Sequence, residues 1–174
     1  PAPTTFNPDG LRGVLMTWGA DDTLASMLDD AGNETLYEYD NLGRLVREQA
    51  DDGTATLHGY DTEGNPVTTV NANGTVTTRT FDAGGFRVRV NINPQGLDDG
   101  TTLRQYEYDG LGRVTLGFDN NMPGNTQDDS TVEIFYDSLD RVIEEVQRLS
   151  NGTPEGVIDS HWLGEARRIG LQGT

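Results

Sequence analysis

An aromatic residue returns along this chain at nearly fixed intervals, and no other feature limits its folds as strongly. The anchors are Trp18, Tyr39, Tyr60, Phe81, Tyr108, Tyr136 and Trp162, separated by 21, 21, 21, 27, 28 and 26 residues. Other columns travel with them. An acid follows at Asp40, Asp61, Asp82, Asp109 and Asp137. Four residues after the anchor stands Gly43, Gly64, Gly85 or Gly112, replaced by Asp22, Asp140 and Ala166 in the outer copies. Five after it come Arg44, Arg113, Arg141 and Arg167, with Thr23, Asn65 and Phe86 breaking the column, and six after it Leu24, Leu45, Val114 or Val142. A period of this size marks a supersecondary unit that buries its apolar face only by stacking on its neighbours.

Turn chemistry gives the unit its shape. In "YDNLG" the Asp accepts a hydrogen bond from a backbone N–H two residues on. The Gly supplies the positive φ that closes a three-residue hairpin loop with a bulge. Asp40 then faces Arg44, and Tyr39 faces Leu45 on the other side. Second turns fall at "DDAG" (29–32), "ADDG" (50–53) and "NANG" (71–74). The segments between turns are rich in Thr, Val, Tyr and Leu and have the length of strands. In "FRVRVNI" (86–92), Phe86, Val88, Val90 and Ile92 alternate with Arg87 and Arg89. "RVIEEVQRL" (141–149) is the best helical candidate, but it fills a strand slot and is read as strand. The expected fold is all-β: about seven antiparallel hairpins of roughly 21–28 residues in a long curled or spiralling sheet, open at both ends. Residues 1–17 form an N-terminal strand segment, 18–170 the array and 171–174 a tail. The repeats are regular to about residue 85. Later ones lengthen through Pro- and Gly-containing loops at 93–100, 120–129 and 150–156.

"YEYDNLGRL" (37–45), "YEYDGLGRV" (106–114) and "FYDSLDRV" (135–142) resemble the YD repeats of the Rhs family, shared by bacterial Rhs proteins, Tc toxin C components and animal teneurins. The resemblance runs from Trp18 to Ile169. It implies β-hairpins that spiral into a hollow shell, enclosing a toxin polypeptide or packing a large extracellular scaffold. What carries over is a wall role at Tyr39, Asp40, Gly43 and Arg44, at Tyr108, Asp109, Gly112 and Arg113, and in part at Tyr136, Asp137 and Arg141. The sequence has no "DPxG" block of the kind that family uses for self-cleavage, no toxin tail and no evident lid. A piece of wall is therefore expected rather than a closed container.

Composition narrows the chemistry. The 174 residues carry a formal charge of −17, which repels phosphate backbones and argues against nucleic acid. All twelve basic residues are arginine, so lysine Schiff bases, P-loops and Lys–Asn isopeptide bonds are excluded. There is no cysteine for disulfides or thiolate zinc, and no apolar run near eighteen residues for a membrane helix. An acidic, solvated surface fits an extracellular or cell-surface protein, and the resemblance implies a bacterial one.

The repeated Tyr-Asp-Gly-Arg set is tempting as an active site. Turn geometry alone demands those residue types, however, and catalytic groups do not recur in degenerate copies. His58 and His161 are the only histidines. "DSH" (159–161) lies along one strand, whose neighbours point to alternating faces, so it makes no relay. No enzyme activity and no cofactor are expected. Calcium is the one candidate ligand, through Asp119, Asn121, Asp128 and Asp129 in "DNNMPGNTQDD" (119–129), although Pro123 holds a ligand position and Ser130 replaces the closing acid. Sequons at Asn33, Asn73 and Asn151 matter only in a glycosylating host.

Two functions follow. The first is a structural segment of an extracellular repeat scaffold, forming a shell wall or assembling end to end. Its partners would be further YD repeats of the same or a neighbouring chain, a homo-oligomer or polymer through sheet edges, and an enclosed cargo polypeptide. The alternative is an adhesin-like module stacking glycans on Tyr37, Trp18 or Trp162.

Overall fold

The structure is a computed structural model, which describes residues 13–94, 100–150, 158–163 and 167–171, the last two segments by their backbone alone. Every regular element among them is a strand: β1 (Leu15–Trp18), β2 (Leu24–Leu28), β3 (Glu34–Tyr39), β4 (Leu45–Gln49), β5 (Ala55–Tyr60), β6 (Pro66–Val70), β7 (Val76–Phe81), β8 (Arg87–Asn93), β9 (Leu103–Tyr108), β10 (Val114–Asp119), β11 (Ser130–Tyr136), β12 (Val142–Leu149), β13 (Ile158–Leu163) and β14 (Arg167–Leu171). The fourteen strands are the two per repeat that seven anchors require. "RVIEEVQRL" is indeed strand, as β12. The Pro- and Gly-containing segment 120–129 connects β10 to β11; the loop interiors at 95–99 and 151–157 lie outside the described residues.

The chain divides into two units, Pro1–Val76 and Thr77–Thr174. In the first, β1 to β6 lie side by side in chain order; in the second, β7 to β14 do the same. Neighbouring strands from β1 to β6 in the first unit and from β8 to β14 in the second pair antiparallel. Neither unit closes on itself within the described residues: β1 pairs with β2 alone, and β14 with β13 alone.

The register explains the repeat. Six of the seven anchors are seen to pair with the residue six positions on: Trp18 with Leu24, Tyr39 with Leu45, Tyr60 with Pro66, Tyr108 with Val114, Tyr136 with Val142 and Trp162 with Arg168. In all six, pairing then slips by one. Glu38 meets Arg47 and Glu107 meets Leu116, so Val46 and Thr115 are left between pairs. This bulge twists the strand and shifts its alternation by one residue. In "FRVRVNI" the alternation holds along β8 from Arg87 to Val90, with the two arginines exposed and Val88 and Val90 turned inward, and lapses at Asn91 and Ile92, both half-buried; Phe86 belongs to the turn rather than to β8.

The sheet has almost no interior. Among the described residues only Val90 and Val146 are buried apolar side chains, each 7% exposed, and no side chain is fully enclosed. With an apolar content of 33% the chain cannot cover both faces of such a sheet. Stability therefore rests on ladder hydrogen bonds, turns and contacts between adjacent hairpins.

Candidate functional site

The repeated motif recurs along the chain, and its geometry shows what its residues do. The turn after β3 is held by two backbone bonds, Gly43 N–H to the Asp40 carbonyl and Asp40 N–H to the Arg44 carbonyl, both 2.9 Å. Asp40 Oδ1 accepts the backbone N–H groups of Leu42 (2.9 Å) and Arg44 (3.0 Å). Its Oδ2 accepts the Arg44 guanidinium through Nε and Nη2 at 2.8 and 2.7 Å. One carboxylate thus closes the loop and fixes the arginine. The arrangement returns at Asp109 with Arg113 and at Asp137 with Arg141. Asp61 uses Asn65 in place of arginine, through Nδ2 at 2.9 Å, while Asp82 keeps only the two backbone donors, from Gly84 and Phe86.

These bonds set the electrostatics. The guanidinium hydrogen bond, then the backbone N–H of the same arginine, holds Asp40, Asp109 and Asp137 below the usual carboxylate range. Asp61 is lowered by the Asn65 amide. The Asp109 carboxylate in turn raises Arg113.

The turn glycines sit at positive φ: Gly43 at 75°, Gly64 at 93°, Gly85 at 80° and Gly112 at 80°. Where the column carries aspartate, the backbone keeps the same conformation, with Asp22 at 60° and Asp140 at 63°. Aspartate tolerates this region because its short polar side chain bonds locally.

The structure adds a second role that the sequence reading missed. Column five reaches the next repeat. Arg44 lies 4.5 Å from the centroid of the Tyr60 ring, and Arg113 lies 4.5 Å from that of Tyr136. Where phenylalanine replaces the arginine, Phe86 stacks on Tyr108 with centroids 5.0 Å apart. The anchor answers with its hydroxyl. Tyr60 donates to the Leu45 carbonyl (2.8 Å), Tyr108 to that of Arg87 (2.9 Å) and Tyr136 to that of Val114 (2.9 Å), each six residues past the preceding anchor. Arg113 also bonds Asp140 of the following turn at 2.6 Å. The signal for this was present in the columns, because arginine and tyrosine shared a period. Only the sheet showed that they meet across repeats.

Of the calcium candidates, Asp119 and Asn121 have side chains engaged in other bonds. Asp119 accepts Thr101 Oγ1 and the Asn121 N–H through Oδ1 and pairs with Arg104 through Oδ2 at 2.7 Å. Burial works against its charge, and these bonds outweigh it, leaving Asp119 below its ordinary range. Asn121 Nδ2 donates to the Asp128 carbonyl. The Asp129 carbonyl accepts Ser150 N–H at 2.9 Å. Among the described residues no three acidic or histidine side chains gather as a metal site.

The aromatics expected to stack glycans differ in exposure. Trp18 is 59% exposed, but Tyr37 is half-buried, and burial raises its hydroxyl pKa. The Trp162 side chain lies outside the described residues. His58 sits in β5 opposite Thr69, while Asp159, Ser160 and His161 are consecutive in β13.

A bulged hairpin repeated edge to edge, with several of its turns bonded to the following repeat, defines a β-hairpin repeat array. Residues 60–96 match the RHS Repeat family model. That stretch contains Tyr60, Asp61, Gly64, Phe81, Asp82 and Gly85, the middle of the regular array rather than its best-spelled copies. Solved structures share the fold. The crystal structure of TcdB2-TccC3-TEV superposes with a TM-score of 0.65 at 19% identity, over 79% of this chain and 7% of that one. A Photorhabdus luminescens Tc holotoxin pore carrying a TccC3 mutation gives 0.59 at 12% identity, over 85% and 9%. The crystal structure of TcdB2-TccC3 without its hypervariable C-terminal region gives 0.52 at 13% identity, over 88% and 10%. The chain therefore spans no more than a tenth of the length of these chains. No curated protein has a matching sequence.

Proposed function

We propose that the chain is a non-catalytic length of wall in an extracellular YD-repeat scaffold of bacterial type, working through the array rather than through a local site. The observation that carries this reading is the link between repeats. Asp40, Arg44 and Tyr60, and again Asp109, Arg113 and Tyr136, are engaged in closing one turn and fastening it to the next. The RHS repeat and the shared fold of the Tc structures support it. On this reading the partners are further repeats added at the open edges of β1 and β14, and a polypeptide lying against the sheet. Strand edges with unpaired N–H and C=O groups are templates for such addition. Electron microscopy with light scattering tests it. Particles that lengthen with concentration, and stop lengthening when Met16 in β1 is changed to Pro, are the expected result. A monomer at every concentration, with both edges protected from hydrogen exchange, would count against it.

A second reading, glycan binding, draws on a different place from the one the sequence suggested. A shallow cavity of about 470 Å³ in the second unit is lined by Arg89, Gln105, Glu107, Leu116 and Phe118 among others, an aromatic ring beside polar side chains. A sugar stacked there would lose binding on a glycan array when Phe118 becomes Ala; silence across the array retires the reading.

A further inference from the structure

The first unit holds two boundaries between repeats, β2 against β3 and β4 against β5, and their ladders are equally long. Ser26, Met27 and Leu28 pair with Leu36, Thr35 and Glu34 at the first; Arg47, Glu48 and Gln49 pair with Leu57, Thr56 and Ala55 at the second. The side chains laid across them differ. At the second boundary Arg44 sits over the Tyr60 ring and donates to the Asp61 carbonyl at 3.3 Å, while Tyr60 donates to the Leu45 carbonyl.

At the first boundary the matching positions hold Thr23 and Tyr39. Threonine has no guanidinium to lay on a ring, and the Thr23 hydroxyl is turned back on Asp21 Oδ1 at 2.8 Å, within its own loop. The residue after the anchor is Gly19, so the carboxylate that clamps Arg44 in the next repeat has no counterpart here. Among the described residues the Tyr39 hydroxyl donates no hydrogen bond, whereas those of Tyr60, Tyr108 and Tyr136 all reach the carbonyl six residues past the preceding anchor.

The hairpin concerned is β1–β2. It meets the rest of its unit through β3 alone, and β1 is exposed along its whole length. In a repeat array each boundary contributes its own share of stability, so a hairpin held by its ladder alone is the first to leave. We infer that residues 15–28 form a releasable flap on the edge of β3. Release bares the backbone groups of Glu34–Tyr39 that faced β2. The freed pair of strands has nothing left to pack on, and a lone hairpin is marginal in water. One cation–π contact and one hydroxyl bond separate the two boundaries, which makes the first open about tenfold more often than the second. The device belongs to a single molecule and stands whether or not copies assemble.

Hydrogen exchange in dilute protein tests it by moving the fastener. Gly19→Asp with Thr23→Arg gives the first repeat the Asp–Arg pair of the second. A Cβ at position 19 would lie 2.7 Å from Asp21 Oδ1, a side chain that loses its Thr23 partner in the same variant and can move aside. Exchange of the β2 amides should slow about tenfold. The same two changes placed in a Tyr39→Leu chain should gain nothing, because the arginine then has no ring to rest on. The reverse arm needs no new contact to form: Arg44→Thr with Tyr60→Phe should speed exchange across β4 and β5 about tenfold. No slowing in the first variant, a gain that persists without the Tyr39 ring, or a β4–β5 ladder indifferent to the loss of Arg44 and the Tyr60 hydroxyl would each overturn the proposal.

Discussion

Gly43 and Gly112 hold the same turn column at φ of 75° and 80°, yet they differ in what surrounds them. A Cβ on Gly43 would meet nothing within 4 Å, whereas one on Gly112 would lie 2.5 Å from Cζ of Phe86. Gly43→Ala therefore carries the left-handed penalty alone, about 1–2 kcal/mol. Gly112→Ala adds overpacking against a ring held by its stack on Tyr108, roughly a further 1–3 kcal/mol. Denaturant unfolding should show the difference, and Phe86→Ala in the same chain should remove most of the excess. Equal losses at the two glycines would mean that the ring yields freely. At this scale the sequence was highly legible. The Asp-to-N–H bond, the positive φ and the Asp40–Arg44 pair all follow from local chemistry, which a few consecutive residues contain in full. The collision at Gly112 was not legible, because Phe86 comes from another hairpin.

At the scale of the element, hairpins are joined by the anchor hydroxyl and by the column-five side chain. Tyr136→Phe leaves the ring under Arg113 but removes the 2.9 Å bond to the Val114 carbonyl. The expected loss is about 0.5–1.5 kcal/mol. Because adjacent repeats couple only to their neighbours, the effect should be local. Hydrogen exchange should quicken in β10 and β11 and stay unchanged in β3 and β4. A uniform increase across the chain would show that the molecule opens as one cooperative body instead. Strand positions and loop insertions were readable from the anchors, since a two-residue alternation bounded by turns survives without tertiary information. The slip after each anchor pair was not. Val46, Val67, Thr115 and Ile143 look like ordinary strand residues, and only the partner strand reveals that each is passed over.

For the whole molecule, acid is the revealing variable. Asp40, Asp61, Asp109 and Asp137 each have a folded pKa below the unfolded value of about 3.9. Groups lowered on folding contribute stability that is complete above the unfolded pKa and lost as pH falls through the lower folded one. Urea midpoints should therefore hold steady from neutral pH to about 4 and decline below it, and Asp137→Asn should make the decline shallower. A decline that begins near pH 6, or none down to pH 2, would contradict the turn-carboxylate account. The response is spread over several turns because the motif is, which is also why no single residue stands out as a site.

The sequence by itself determined that this chain is a row of antiparallel hairpins, which residues make its turns, and that its acids and arginines pair within those turns. Each of those depends on neighbours within a few positions, and the repeat states them several times over. Only the tertiary structure decided that Arg44 and Arg113 reach the next repeat's tyrosine, that a bulge follows six of the seven anchors, and that Leu42, Leu111 and Leu139 stand in solvent. The reason is register. Contacts between hairpins depend on how strands slide past one another, and a one-residue slip changes which side chains meet without altering the period of the sequence.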